Sequence, residues 1–181
     1  MRKIAFFIFS IVFAATMARA SFVSADIGVN GLTCSMCARG VEGSLRELPF
    51  IDSISVDLNK LIAQITFMND VKVSIEEIAA MIEDAGFSVR SIDAVFDFAD
   101  LAVGKDFHYS FAGDTYHFVG IGSKKLNGPV RLRFIDKPYV SKKEFASLAK
   151  KTSFECYKKG AAASCCVDEY AAHGVLYHVT L

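Results

Sequence analysis

Hydrophobic and polar positions in the first half of the chain follow two different periods. Val23, Ala25, Ile27 and Val29 alternate with polar residues or glycine, which is the pattern of a half-buried strand. The apolar residues of the following segment recur every three or four positions and stop before Pro49, as expected of an amphipathic helix. The chain therefore begins its folded part with a strand followed by a helix.

Two more strands, a second helix and a last strand follow. Residues 54–58 and 63–67 both alternate and predict a hairpin. Ser74 and Glu77 have the spacing of an N-terminal capping box at the start of a second helix, and another alternating segment begins at Phe87. Because both predicted helices are apolar on one side, they can cover one face of a four-stranded sheet. The pattern predicts an open-faced α/β sandwich.

The second half of the chain is β-rich. Alternating aromatic residues on both sides of Gly113 and Asp114 predict a hairpin with a type II′ turn. Residues 127–129 (Asn-Gly-Pro) predict another turn before a strand, and Ser141 begins a capping box for one short helix. The C-terminal residues alternate again as a strand. We expect a small β-rich domain with one helix, such as a small barrel.

The N-terminal residues are typical of a secretory signal peptide. Arg2 and Lys3 precede an apolar run over residues 4–17, and Ala18 and Ala20 give the small-x-small cleavage pattern. The run is shorter than the about 20 residues that a membrane-spanning helix needs. We therefore expect cleavage after Ala20, a periplasmic or secreted mature protein, and no stable membrane insertion.

The charge balance gives no support to nucleic acid as a partner. The chain has 20 basic and 20 acidic residues, and the predicted leader contains three of the basic ones and none of the acidic ones. The mature protein is then slightly acidic, which gives no electrostatic reason to bind nucleic acid.

Cysteine usage points to metal chemistry. All five cysteines follow the predicted leader, so they enter an oxidising compartment, and an odd number cannot all pair within one chain. Cys34 and Cys37 form a CxxC pair at the start of the first predicted helix, where unpaired backbone N–H groups and the helix dipole stabilise a thiolate. Two soft sulfurs without a neighbouring histidine or carboxylate suit Cu(I) or Hg(II), whereas Zn(II) usually takes four ligands.

The sequence around this pair resembles a known family. Residues 31–37 (Gly-Leu-Thr-Cys-Ser-Met-Cys) and residues 83–87 (Glu-Asp-Ala-Gly-Phe) resemble the heavy-metal-associated (HMA) domain of copper chaperones, metal-pumping ATPases and periplasmic mercury-scavenging proteins. The resemblance covers about residues 22–93. It implies a ferredoxin-like βαββαβ fold, with Cys34 and Cys37 as metal ligands and Phe87 as an apolar lid near them.

Two further groups of candidate ligands lie in the second half. Cys156, Cys165 and Cys166 suit either a disulfide from Cys156 to one of the other two or a second soft-metal site. His108 and His117 fall on the two strands of the predicted hairpin as diagonal neighbours on one face, so they are weaker candidates for copper or zinc.

These observations predict three segments: a signal peptide (1–20), a heavy-metal-associated domain (21–93) and a β-rich C-terminal domain of unknown role (94–181). The expected function is capture of Cu(I), or of Hg(II), and its transfer to a protein partner by ligand exchange. No serine nucleophile motif, phosphate loop or paired-carboxylate signature indicates an enzyme. The alternative is a thiol–disulfide oxidoreductase that uses the same CxxC pair.

Overall fold

The computed structural model describes residues 20–160 and 174–181 of the chain. The predicted signal peptide lies outside these residues except for Ala20. Within the described ranges the strands are β1 (Ser21–Asn30), β2 (Ile51–Asp57), β3 (Ile62–Phe67), β4 (Ser88–Val103), β5 (His108–Phe111), β6 (Asp114–Phe118), β7 (Lys124–Phe134) and β8 (Leu176–Thr180). The helices are α1 (Ser35–Leu45), α2 (Ile75–Asp84), α3 (Lys142–Leu148) and α4 (Glu155–Lys159), with a 3-10 turn at Lys137–Tyr139. No helix among the described residues is long and apolar enough to cross a membrane.

The first six elements confirm the predicted βαββαβ order. Strand β1 pairs antiparallel with β3 on one side and β4 on the other, and β2 pairs with β3. Ala25 and Ile27 of β1 face the side on which α1 and α2 place their buried residues. Helix α2 begins where the sequence indicated, because the Ser74 hydroxyl accepts a hydrogen bond from the Glu77 N–H at 3.2 Å. This part has the ferredoxin-like fold.

Strand β4 connects the two halves of the chain without a linker. It is 16 residues long, pairs with β1 through its first part, and pairs with β7 along most of its length. The boundary that we expected between residues 93 and 94 therefore falls inside this strand. All eight strands form one sheet in the order β2-β3-β1-β4-β7-β8-β6-β5.

The second half of the sheet curls over the first. The ring centroids of Phe111 in β5 and Phe96 in β4 are only 4.9 Å apart, although three other strands separate these two in the sheet. The curl produces an aromatic core on the inner face, but the sheet remains open, with β2 and β5 at its edges. It is therefore a continuation of the first sheet and not a separate small barrel.

The predicted turn at residues 127–129 is wrong, because these residues lie inside β7. Gly128 pairs with Phe98, and Leu126 pairs with Leu101, so β4 has one residue more than β7 between these two pairs. Gly128 and Asp100 both have positive φ values, of 72° and 63°. The two strands therefore form a β-bulge here. Gly128 has the positive φ that a turn would also require, but the strand continues on both sides of it.

The hairpin turn between β5 and β6 also differs from the prediction. It is formed by Ala112 and Gly113, whose φ values are 51° and 88°, and two positive φ values are typical of a type I′ turn. The carboxylate of Asp114 accepts hydrogen bonds from Lys72 and from the Val175 N–H, so Asp114 is held in the strand and not in the turn. The resulting shift of register places the predicted histidine pair directly opposite each other instead of diagonally.

Helices α3 and α4 cover the outer face of the curled half. Helix α3 was predicted, and its Ser141 cap accepts from the Glu144 N–H at 3.2 Å. Helix α4 was not predicted: it has five residues, of which only Cys156 and Tyr157 are buried, and so few positions show no periodicity. Tyr157 packs in a second, smaller core with Leu148 of α3 and with Val119 and Ile135, which directly follow β6 and β7.

Phe22, near the start of β1, joins the two halves through its ring. It lies within 6.5 Å, between ring centroids, of aromatic residues from both halves of the chain, namely Phe67, Phe96, Phe111, Tyr116 and Phe134. Its neighbour Val23 is displaced at a bulge and is 39% exposed. The side chain of Phe22 is therefore part of both the ferredoxin-like core and the core of the curled sheet.

We expect Phe22→Ala to lower the free energy of unfolding by about 3–5 kcal/mol, because it opens a cavity in a core that both halves share. Val23→Ala is the matched control and should change stability by less than about 0.5 kcal/mol. Urea denaturation followed by far-UV circular dichroism and by tyrosine fluorescence measures both effects. Two separate transitions, of which Phe22→Ala shifts only one, would contradict a shared core.

Candidate metal centre

The loop between β1 and α1 holds the CxxC pair. Gly31 begins the loop with a φ of 91°, a conformation that favours glycine. A Cβ atom at this position would lie 3.3 Å from the ring of Phe87, so the ring packs directly against the loop. Leu32 is buried at 1% exposure and anchors the loop in the core. The start of the loop is thus fixed by Phe87 and by the buried Leu32, while residues 33–36 are exposed to solvent.

Cys34 is the N-cap of α1. Its Sγ atom accepts a hydrogen bond from the Cys37 backbone N–H at 3.2 Å, in the way that a serine or aspartate oxygen caps other helices. The sulfur therefore lies at the positive end of the helix dipole, beside the unpaired N–H groups of the first helical turn. Cys34 is exposed, so its thiol is accessible to an incoming ion or protein.

Cys37 lies one turn further along, partly buried against the core. The pKa of its thiol is lowered, first by a hydrogen bond with the Cys34 side chain and then by bonds with Thr33, and these effects outweigh partial desolvation. The Thr33 hydroxyl lies 3.9 Å from the Cys37 sulfur. The surroundings of Cys37 therefore favour the thiolate, the form of cysteine that binds metals.

Met36 lies between the two cysteines and points away from the protein. Its side chain is 70% exposed, which is the behaviour of an ordinary loop residue. The ligands that this loop offers are therefore the two sulfurs of the CxxC pair.

The other candidate ligands are arranged differently from the prediction. Cys165 and Cys166 lie outside the described residues, so both the disulfide and the three-cysteine metal site stay predictions. His108 and His117 stack with ring centroids 4.3 Å apart, and the Sγ atom of Cys156 lies 3.5 Å from Nδ1 of His117. The structure thus combines one member of the predicted cysteine group with the predicted histidine pair.

This buried cluster is electrostatically unusual. Burial, followed by the charge of neighbouring histidines, lowers the pKa of His117 to about 3, and burial also lowers the pKa of His108. Asp106 lies beside the cluster, with Oδ1 3.4 Å from Nε2 of His117. Burial alone would raise the pKa of Asp106, but hydrogen bonds from Thr152 and Ser153 lower it. Burial thus favours the neutral form of both imidazoles, and hydrogen bonds favour the ionised form of the carboxylate beside them.

The fold and the exposed thiol pair together define a small α/β metal-binding domain. A family model of the heavy-metal-associated domain matches residues 27–88. The copper chaperone CopZ of Staphylococcus haemolyticus is 34% identical over 64 residues, which are 35% of this chain and 93% of the chaperone. CopZ of Bacillus subtilis is 38% identical over 61 residues, covering 34% and 87% of the two chains. The chain belongs to the heavy-metal-associated domain family.

A copper-transporting ATPase and a solved copper transporter domain also match little more than a third of this chain. The copper-transporting ATPase 1 of Rhizobium meliloti is 35% identical over 69 residues, which are 38% of this chain but only 8% of the ATPase. The chain therefore spans a small part of the ATPases that it matches. A solution structure of a yeast copper transporter domain in the apo and Cu(I)-loaded states is 30% identical, covers 37% of this chain and 90% of its own, and gives a TM-score of 0.34.

We expect Cys34→Ala to raise the pKa of the Cys37 thiol toward its ordinary value, because the substitution removes the largest stabilising hydrogen bond. Cys34→Ser keeps a hydroxyl at this position and should raise the pKa less. The measurement is the rate of Cys37 alkylation by iodoacetamide as a function of pH, followed by peptide mass spectrometry. The midpoint should move to higher pH in the order wild type, serine variant, alanine variant; identical midpoints would exclude the hydrogen bond as the cause.

Proposed function

We propose that this protein captures Cu(I) through Cys34 and Cys37 outside the cytoplasm and passes the ion to a protein partner. One observation carries the proposal: the thiols of Cys34 and Cys37 lie unbonded at the N-terminus of α1, inside a domain whose relatives include copper chaperones and copper-transporting ATPases. The names of these relatives indicate copper, and two thiolates are a suitable ligand set for its soft Cu(I) state.

The positions of the two sulfurs support transfer by ligand exchange. Cys34 is exposed and Cys37 is partly buried, so an incoming thiolate reaches the ion from the side of Cys34. The incoming sulfur forms a bond to Cu(I) as one protein sulfur leaves, and the ion remains Cu(I) throughout. Repeating the exchange at Cys37 completes the transfer. Hg(II) can follow the same steps, because it also accepts two-coordinate thiolate binding.

The alternative function is thiol–disulfide exchange. Cys34, as an exposed sulfur at a helix N-terminus, is where such an enzyme would place its attacking thiolate. The family favours metal binding over this alternative, and the two functions differ in a measurable way: only the enzyme changes the oxidation state of its cysteines in each turnover.

We expect the reduced protein to bind one equivalent of Cu(I) in competition with a chromophoric chelator. Cys34→Ser/Cys37→Ser should abolish this binding, because it removes both thiolates and leaves the loop in place. Cys156→Ser/Cys165→Ser/Cys166→Ser is the matched control, with three thiols removed elsewhere, and should keep the tight equivalent. The same titration with Hg(II) shows whether the loop discriminates between the two ions.

Failure of the reduced wild-type protein to compete for either Cu(I) or Hg(II) would overturn the metal proposal. Turnover of a disulfide substrate that depends on Cys34 would then support the oxidoreductase. Loss of the tight equivalent in the control variant, with retention in Cys34→Ser/Cys37→Ser, would move the capture site away from this loop.

We further propose that the protein is exported and that its leader is cleaved after Ala20. Mass spectrometry of the protein recovered from the periplasm or medium of a bacterial host should find Ser21 as the first residue. Ala20→Leu should slow processing, since the signal peptidase requires a small residue before the cleaved bond. Recovery of the wild-type protein from the cytoplasm with residues 1–20 attached would contradict export.

A further inference from the structure

The proposed function does not use the buried cluster formed by His108, His117 and Cys156. Each of these residues offers one donor atom, and the three donor atoms lie within 4.8 Å of one another. Cys156 and His117 are fully buried, and His108 is 9% exposed. The cluster is made from three separate places in the chain: two facing strands of the β5–β6 hairpin and the short helix α4 above them.

The spacing of these atoms suits a metal ion. Zinc bonds of about 2.0–2.1 Å to nitrogen and 2.3 Å to sulfur place the two ligand atoms of a tetrahedral site roughly 3.5 Å apart. The Sγ atom of Cys156 and Nδ1 of His117 are 3.5 Å apart. Since all donors already lie close together, a small inward movement of the side chains would complete the first three bonds.

The surroundings of His117 are those of a metal ligand. Histidine ligands commonly turn their second ring nitrogen to a carboxylate, which fixes the ring and raises its basicity. Here Nε2 of His117 lies 3.4 Å from Oδ1 of Asp106. Among the described residues neither atom has a hydrogen bond of good geometry. The other oxygen of Asp106 is held by the hydroxyl of Ser153 at 3.2 Å, so the carboxylate is already oriented toward the ring.

A second histidine borders the cluster in a similar way. His178 is fully buried, and its ring centroid lies 5.3 Å from that of His117. Its Nδ1 atom contacts Oδ1 of Asp136 at 2.6 Å, whereas its Nε2 atom has no hydrogen-bond partner among the described residues. His178 thus resembles His117 in that one ring nitrogen contacts a carboxylate, and its other ring nitrogen has no hydrogen-bond partner among the described residues. The Nε2 atom of His178 is therefore available to interact with an ion or its fourth ligand.

The chemistry of the donor set selects the kind of ion. A cysteine binds a metal as the thiolate, so the Cys156 thiol would release its proton as the ion enters. With the Asp106 carboxylate beside His117, a divalent cation would then compensate the buried negative charge. Mixed imidazole and thiolate ligands suit late first-row metals.

The geometry points to a second metal site, in which His108, His117 and Cys156 bind one divalent late first-row cation of the Zn(II) or Cu(II) class, with Asp106 as a positioning residue. This site is distinct from the CxxC loop. Tyr116, next to His117, packs on Phe22 at the first end of β1, and the loop follows the other end of that strand, roughly 26 Å away at 3.3 Å per residue. The second site therefore does not depend on the proposed function.

The test uses reduced protein carrying Cys34→Ser/Cys37→Ser, so that the CxxC loop cannot bind the ion. Co(II), a spectroscopic substitute for Zn(II), should bind with one equivalent and give visible d–d bands together with a thiolate-to-metal charge-transfer band. Added Zn(II) should displace it and raise Tm, because the ion binds only the folded state. Cys156→Ser in this background should abolish the charge-transfer band.

Two further variants distinguish a residue that binds the ion from a residue that only positions a ligand. His108→Gln should weaken Co(II) binding more than Asp106→Asn, for which a loss of about 10–100-fold is expected of a residue that orients a ligand. Cys165→Ser/Cys166→Ser is the control and should leave affinity and spectrum unchanged. Near-UV circular dichroism checks that each variant is folded.

The proposal is overturned if the folded background protein binds neither Co(II) nor Zn(II), in which case the cluster is a hydrogen-bonded part of the core. It is also overturned if Cys165→Ser/Cys166→Ser removes binding while His108→Gln does not, because the ligands would then be cysteines alone. Neither outcome bears on Cu(I) capture by the CxxC loop, which is measured with both cysteines of that loop intact.

Discussion

The packing of the two halves of the chain against each other depends on the ring of Phe22, which contacts aromatic side chains from both halves. A ferredoxin-like domain of about 70 residues is near the lower size limit for an independent core. Here the curled second half supplies additional buried surface, with Phe96, Phe98 and Tyr109 packed around the same centre. The metal loop is therefore supported by a core larger than its own domain would provide.

The CxxC loop and the buried cluster use cysteine in opposite ways. Cys34 caps a helix at the surface, where its sulfur accepts a hydrogen bond from a backbone N–H and solvent allows ligand exchange. Cys156 is fully buried beside imidazoles and a carboxylate, where a bound ion would be held by several elements at once. The exposed CxxC loop suits an ion that is bound and then transferred, and the buried cluster suits an ion that exchanges slowly.

Local signals explain what could be predicted from the sequence. The alternation of β1, the capping serines and the CxxC pair at the start of a helix each depend on residues within a few positions, and the structure has these elements where the patterns placed them. The family resemblance covers the same region. The order of strands and helices in the ferredoxin-like half could therefore be predicted from the amino-acid sequence.

The misplaced features depend on distant contacts. Residues 127–129 have the composition of a turn, and only pairing with β4 makes them a bulge. The register of the β5–β6 hairpin is set by Asp114, whose partners Lys72 and Val175 lie far away in sequence. Cys156 meets His117 only because α4 packs on the curled sheet, and five helical residues give no pattern that would predict this.

The continuity of β4 also limits how a chain of this kind can change over generations. A linker between domains tolerates insertions and deletions, whereas side chains in a strand alternate between two faces. One residue added between Asp93 and Phe96 would turn Phe96 and Phe98 away from the aromatic core and shift the pairing with β7. The spacing between the two halves is therefore fixed by geometry, and the halves can be gained, lost or exchanged only together with the strand that they share.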